Sequence, residues 1–148
     1  HRGSWPVFYR TVQIAEAELA LHRQDTPAAL AAASDLVECL TEDGMRLLLP
    51  EALYLEGTAR LAARQKSRAR DCFLWGHEVA NAIGSRRILW RLCLALSRLE
   101  EDVALAANWR WQAREVLTEI LAQFDDRHRD LRESFLGQAE VQEALQVE

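Results

Sequence analysis

The side chains that could do chemistry in this chain stand in patterns that fall short of a metal or catalytic site. His77 and Glu78 would suit a zinc-binding helix, but such a helix needs a second histidine four residues after the first, and Asn81 occupies position 81. The acidic run from Asp125 to Asp130 lacks the alternating oxygen ligands and the glycine of a calcium loop. We therefore predict no metal and no cofactor, and interpret the acidic run as a helix N-cap.

Nucleophiles and phosphate-binding loops give no stronger signal. No serine stands in a Gly-x-Ser-x-Gly elbow, and no glycine-rich loop is followed by lysine. Cys39, Cys72 and Cys93 are an odd, widely spaced set flanked by apolar residues, which favours reduced buried thiols over a disulfide framework. Together these observations predict a protein that is not an enzyme.

Composition limits the partners. The 148 residues carry a formal net charge of -5 and no basic block, so we predict no binding to nucleic acid. The longest apolar runs, such as residues 45–49, are too short to span a bilayer, so we predict no membrane partner and a cytoplasmic location. Lys66 is the only lysine beside many arginines, which indicates a GC-rich bacterial genome. His1 to Ser4 are expected to be residues left over from cloning, and the chain a piece of a longer protein.

Apolar residues that recur every three or four positions predict about seven helices and no strand. Short turns between them favour antiparallel neighbours. The predicted organisation is one domain over residues 5–148. Its parts are helix pairs at about 7–40, 50–83 and 86–124, followed by a capping segment at 127–145.

One spacing indicates how these pairs pack. Gly57 lies inside a predicted helix, where glycine costs roughly 1 kcal/mol against alanine, and close approach of another helix would compensate. Ala69 follows twelve residues later and Phe73 one turn after that. Ala17 and Ala29 repeat the twelve-residue step, which predicts a period of about 40 residues.

This spacing resembles the tetratricopeptide repeat family, which places a small residue late in its first helix, then alanine and an aromatic early in its second. Leu55, Gly57, Ala69 and Phe73 carry the resemblance, and the residues around Ala17 fit it in part. The resemblance implies an all-α fold of stacked antiparallel helical hairpins in a right-handed α-solenoid. It also implies a protein or peptide as partner.

The last third resembles the C-terminal end of large bacterial signalling proteins that carry an ATPase core followed by tetratricopeptide-like repeats. The matching residues are Leu89-Trp90-Arg91-Leu92, Ala95-Leu96, Ala113-Arg114-Glu115-Val116, Asp126, Leu131-Arg132 and Phe135-Leu136 through Val141. The resemblance implies a terminal repeat region of a signalling or transcriptional regulator. Its expected role is non-enzymatic protein binding or intramolecular regulation.

In such stacks the first helix of each pair lines the concave face. With Gly57 as the packing residue, Glu51, Tyr54 and Thr58 turn toward that face, and Arg87 and Arg91 follow in the next pair. We predict a groove with Tyr54 and Arg91 at its centre, suited to an acidic or aromatic peptide. An ordinary solvated face is the alternative.

Trp109 and Trp111 lie two positions apart and so point about 200° apart on a helix. One of them is expected to be exposed beside Arg110, as in binding hot spots, and we assign Trp111 to the partner-binding residues. The alternative is that its ring packs on the next helix. Trp75 and Trp90 are interpreted as core or hairpin-packing residues.

Two other functions fit the same pattern. A structural cap would close a longer solenoid and could dimerise through an apolar face. A small-ligand sensor would use a pocket between the helices.

Overall fold

The computed structural model describes residues 6–146, with side chains from residue 8 onward, and its regular structure in that range is entirely helical. The predicted all-α, solenoid-like fold is confirmed. The described residues form eight α-helices rather than about seven, because the expected tail is a helix of its own. They are α1 Pro6–His22, α2 Thr26–Glu42, α3 Leu49–Ala62, α4 Lys66–Ile83, α5 Arg86–Leu99, α6 Val103–Ala122, α7 Arg129–Leu136 and α8 Ala139–Leu145. The expectation for residues 1–4 lies outside the described range.

Short polar side chains start several of these helices. The Ala28 N–H donates to the Asp25 carboxylate at 3.3 Å, so Asp25 caps the start of α2. Asp102 accepts from the first amides of α6 in the same way. Ser85 precedes α5, but its side chain makes no capping hydrogen bond.

The predicted start of the seventh helix was also wrong by two residues. Asp125 accepts from the Arg127 N–H at 3.1 Å and so caps a short 3-10 turn, Asp126–His128. That turn uses the first residues of the expected helix, and α7 begins only at Arg129.

The first four helices end in the same way at steps of 20 residues. Gln24, Gly44, Arg64 and Gly84 all adopt left-handed backbone, with φ between 58° and 71°. The next amide donates back to a carbonyl five residues earlier, as in a Schellman motif. These bonds join Asp25 to Ala20, Met45 to Leu40, Gln65 to Arg60 and Ser85 to Ala80, at 2.8 to 3.0 Å. One helix with its turn therefore takes 20 residues and one pair takes 40, as the spacing predicted.

Each helix from α1 to α6 packs on its neighbours in sequence, as expected of stacked hairpins. The first helices of successive pairs also pack on one another, α1 on α3 and α3 on α5. Contact between successive second helices is sparser. The first helices therefore form the more closely packed row, and this row carries the site described below.

Small residues set the distance between helices. Ala17, Gly57 and Ser97 are buried at steps of 40 along the three first helices. A methyl group added at Gly57 would stand only 2.5 Å from Cε1 of Phe73, whose ring is 1% exposed. Gly57 thus makes room for the Phe73 ring, which confirms the predicted role of this pair.

The C-terminal helix α8 covers one end of the core. Val141 and Ala144 are buried against the cluster that α5 and α6 build. Arg98 of α5 donates twice to the Glu143 carboxylate, at 2.9 and 2.8 Å, and so links α8 to α5. The expected closing role of the last segment is thus filled by α8, whereas α7 has no buried residue.

Along residues 6–146 no helix combines the length and the apolar character needed to cross a bilayer.

Candidate binding cavity on the first helices

A cavity of about 270 Å³ opens on the row of first helices; we call it the inner cavity. Helices α1, α3 and α5 form its walls and α8 contributes one side chain. Its lining residues are Glu18, Leu21, Glu51, Tyr54, Leu55, Ile88, Arg91 and Glu140. Its volume lies near the lower end of the roughly 300–1,000 Å³ typical of ligand pockets, which suits one or two side chains of a partner.

A second hollow of about 290 Å³ adjoins the inner cavity. The two share Glu18, Glu51, Ile88 and Arg91. The second hollow adds Arg87, Trp90, Phe135 and Gln138, so it extends toward the C-terminal segment. The Trp90 and Phe135 rings meet edge to face, with centroids 6.3 Å apart, and hold that segment against α5. The inner cavity and the second hollow together form one continuous recess along α1, α3 and α5, which we call the recess.

Tyr54 is positioned by packing from behind. Its ring lies 5.9 Å from the Phe73 ring, the same ring that Gly57 admits. Burial raises the pKa of the Tyr54 hydroxyl, and the negative charge of Glu140 adds to this rise. The hydroxyl therefore stays protonated at neutral pH and can donate a hydrogen bond to a ligand.

The two arginines of the recess differ in how they are held. Arg87 pairs with the carboxylate of Glu51, which joins α5 to α3 at the rim. The Arg91 guanidinium carbon stands 5.5 Å from the centre of the Trp90 ring and pairs with no carboxylate among the described residues. Arg91 is therefore the cation of the recess that a ligand would meet directly.

Two further carboxylates face the inner cavity. Glu140 lies in the first turn of α8, and its Oε2 atom is buried with no hydrogen-bond partner. Glu18 projects from α1 and makes no ion pair with the described part of the chain. Leaving a buried carboxylate oxygen unpaired is costly, which makes Glu140 the most unusual group of the cavity.

Four of the six sequence-predicted site residues come together here: Glu51, Tyr54, Arg87 and Arg91. Thr58 does not line the cavity, because its hydroxyl donates to the Tyr54 carbonyl oxygen at 2.8 Å within the same helix. Trp111 also lies away from the cavity, on α6, which is the second helix of its pair. Its side chain is 54% exposed, so it is the exposed tryptophan of its pair and is not packed away on the next helix.

The inner tryptophan Trp109 packs edge to face on His77, with ring centroids 5.0 Å apart. Burial lowers the pKa of His77. Among residues 6–146 no group of three or more His, Cys, Asp or Glu side chains could hold a metal ion. Trp90 is core as predicted, but Trp75 is 40% exposed.

The sequence reasoning missed Glu18 and Glu140. A signal for Glu18 existed, since it stands 40 residues before Thr58, which the repeat had placed on the inner face. No such signal existed for Glu140, because α8 lies outside the repeated pattern.

No family model matches the chain, and neither does any curated protein or solved structure. The fold therefore defines the class of this protein, which is all-α and solenoid-like. Its likeness to tetratricopeptide repeats stays a prediction from sequence.

Proposed function

We propose that this chain is a non-enzymatic helical-repeat module that binds a protein or peptide in the recess along α1, α3 and α5. Following the two resemblances, we assign it to a bacterial signalling or transcriptional regulator that works in the cytoplasm. The partner is then a separate protein or another domain of the same parent protein. Binding would couple the repeat to an effector domain.

One observation carries this proposal: residues from three successive first helices converge on one recess. Glu18 of α1, Tyr54 of α3 and Arg91 of α5 line a single cavity. An extended peptide can contact several repeats at once along such a row, which is how solenoid proteins use their extended inner surfaces.

The buried thiols agree with a binding role. Burial raises the pKa of Cys93 to about 12, and burial with a hydrogen bond to Glu56 raises that of Cys72 to about 12. A thiol needs its thiolate form to act as a nucleophile. These two are protonated at neutral pH, so their role is packing.

The proposal is tested by selecting peptides from a displayed random library on the folded chain and measuring their affinity by fluorescence anisotropy. We expect the double variant Tyr54→Phe, Arg91→Ala to change the affinity of selected peptides at least fivefold. Phenylalanine keeps the ring that packs on Phe73, so the thermal midpoint should stay nearly unchanged.

The matched control is Trp111→Ala, which removes an exposed aromatic from the other helix layer. Selected peptides that respond to Trp111→Ala and ignore the double variant would place binding on α6 and overturn the proposal. A library that yields no binder at all would do the same.

A structural cap or dimer is the second candidate, and α1 supplies the observation in its favour. Phe8, Val12 and Leu19 lie on one side of α1 and are 69%, 39% and 47% exposed. Light scattering over a range of concentrations decides it. A mass that doubles with concentration, and returns to the monomer value in Val12→Asp, would support the dimer; a constant monomer mass would rule it out.

A further inference from the structure

The inner cavity holds a carboxylate oxygen that the folded chain leaves unsatisfied. Oε2 of Glu140 is buried and has no hydrogen-bond partner. The charge of Arg98 interacts with Glu140, but Nε and Nη2 of Arg98 donate to Glu143 instead. The charge of Glu140 is felt within the cavity, since it raises the pKa of Tyr54.

The charge balance of the recess points the same way. Its ionisable side chains are Glu18, Glu51 and Glu140 against Arg87 and Arg91. Glu51 and Arg87 neutralise one another. Two carboxylates then face one guanidinium, so the recess attracts a cation more than an anion, even though Arg91 alone had indicated an acidic peptide.

The walls fit the stem of a basic side chain. Leu21, Leu55 and Ile88 supply apolar surface beside the ring of Tyr54. Lysine and arginine bury their aliphatic stems on such surface while the charged end meets a carboxylate. The Tyr54 ring adds an electron-rich surface for a cation.

We propose that the inner cavity is a receptor for one basic side chain, arginine or lysine, of a protein partner, with Glu140 and Glu18 accepting its hydrogen bonds. This rests on the proposed function and names the chemistry of the partner. Arg91 then repels the basic side chain of the partner. It favours an acidic or polar residue beside that basic side chain.

The direct test compares two fluorescent peptides that differ only in charge: one with a central arginine and one with citrulline, its neutral counterpart of the same shape. We expect the arginine peptide to bind at least tenfold more tightly to the full chain. We expect Glu140→Gln and Glu18→Gln each to weaken it severalfold, because each removes an acceptor carboxylate.

The matched control is Glu119→Gln on α6, which removes the same charge from an exposed ion pair with Arg86. It should leave affinity unchanged. An equal loss in all three variants would mean that net charge alone attracts the peptide, and would overturn the proposal.

Arg91→Gln gives a test of opposite sign. Removing this cation should strengthen the arginine peptide at least twofold, because the basic group no longer faces a like charge. If Arg91→Gln instead weakens a peptide with glutamate in place of the arginine, and that peptide binds best, the cavity takes anions. The proposed function would then stand and this inference would fail.

The basic group could belong to a protein partner or to a small molecule. Competition with agmatine, a small guanidinium compound, distinguishes these two sources. Competition that needs at least a hundredfold more agmatine than peptide supports a protein partner. Agmatine that binds as tightly as the peptide would make the chain a small-ligand receptor and overturn the proposal. Citrulline and arginine peptides that bind equally would overturn it as well.

Discussion

At the scale of single residues, Gly57 has the clearest physical role. A glycine in mid-helix is normally unfavourable by about 1 kcal/mol, so its presence needs a compensating contact. The contact is the Phe73 ring, which fills the space where a side chain would stand. Because the Tyr54 ring also packs on the Phe73 ring, the absence of one methyl group at position 57 helps to position a cavity residue.

We expect Gly57→Ala to lower the free energy of unfolding by about 1–3 kcal/mol, because overpacking against the buried ring outweighs the helix propensity of alanine. Urea unfolding followed by circular dichroism measures this. Adding Phe73→Leu should recover part of the loss in a double-mutant cycle.

The control is Gly137→Ala, the same chemical change where an added methyl meets nothing closer than the Ser134 carbonyl oxygen at 3.4 Å. It should be nearly neutral. A Gly57→Ala protein more stable than the parent would show that the ring moves aside freely.

At the scale of helices and turns, the 20-residue step has a physical cause in the turns themselves. All four turns use one left-handed residue, yet only Gly44 and Gly84 are glycines. Gln24 and Arg64 adopt the same backbone with a Cβ atom, which is sterically unfavourable. The same turn geometry is thus kept at all four positions, although the residue type favours it at only two of them.

Exchanging residue types at these turns should change stability with opposite signs. Gly44→Ala and Gly84→Ala should each lower the free energy of unfolding by about 1 kcal/mol, through backbone strain alone, since no atom lies within 4 Å of the added methyl. Gln24→Gly and Arg64→Gly should raise it by up to about 1 kcal/mol.

Thermal or urea unfolding of the four single variants measures these shifts. Both wild-type side chains are exposed and make no hydrogen bond in the described structure, so few contacts are lost. Stabilisation by Gly44→Ala would contradict the assigned turn geometry.

At the scale of the whole molecule, the order of helices determines how far the effect of one substitution on stability spreads. Each pair packs mainly on the next, as in other solenoids, whose stability is close to a sum of local terms. Helix α5 contacts α3, α4 and α6, and its buried residues share one core cluster with Val141 and Ala144 of α8. It joins the recess, the core and the C-terminal helix in one unit.

Two buried thiols, Cys72 of α4 and Cys93 of α5, make the stability of these helices depend on pH. Their pKa values are about 12 in the folded chain, against about 8.5 for an unfolded thiol. Between these values the folded state binds more protons than the unfolded state, so stability is fully present below about pH 8.5 and is lost as pH rises toward 12. We expect a loss of up to about 1.4 kcal/mol per pH unit for each thiol.

Urea unfolding at about pH 8 and about pH 10.5 measures the slope. The double variant Cys72→Ala, Cys93→Ala should be less stable than the parent at about pH 8 and should lose less stability as pH rises. The two thiols belong to successive helix pairs. A single unfolding transition that shows the pH dependence of both thiols means that the pairs unfold together. Two transitions mean that they unfold separately. Equal slopes in the parent and the variant would contradict the burial of both thiols.

Much of the architecture was predictable from local pattern. Apolar residues every three or four positions identify helices, because only a 3.6-residue period brings them to one face. The pairing of Gly57 with Phe73 followed from equally local chemistry. The start of α7 did not, because Asp125 can cap a 3-10 turn or a helix equally well from sequence.

The candidate site divides in the same way. The sequence by itself determined the helices, their 40-residue step and four residues of the recess, because the repeat transfers a face from one pair to the next. Only the tertiary structure brought Glu18 and Glu140 to the same cavity across 122 residues of sequence. It also showed that Thr58 is turned aside and Trp111 lies elsewhere. The reason is that α8 docks through Val141, Ala144 and Glu143 on a surface that exists only once the pairs have stacked, and no local period encodes such a contact.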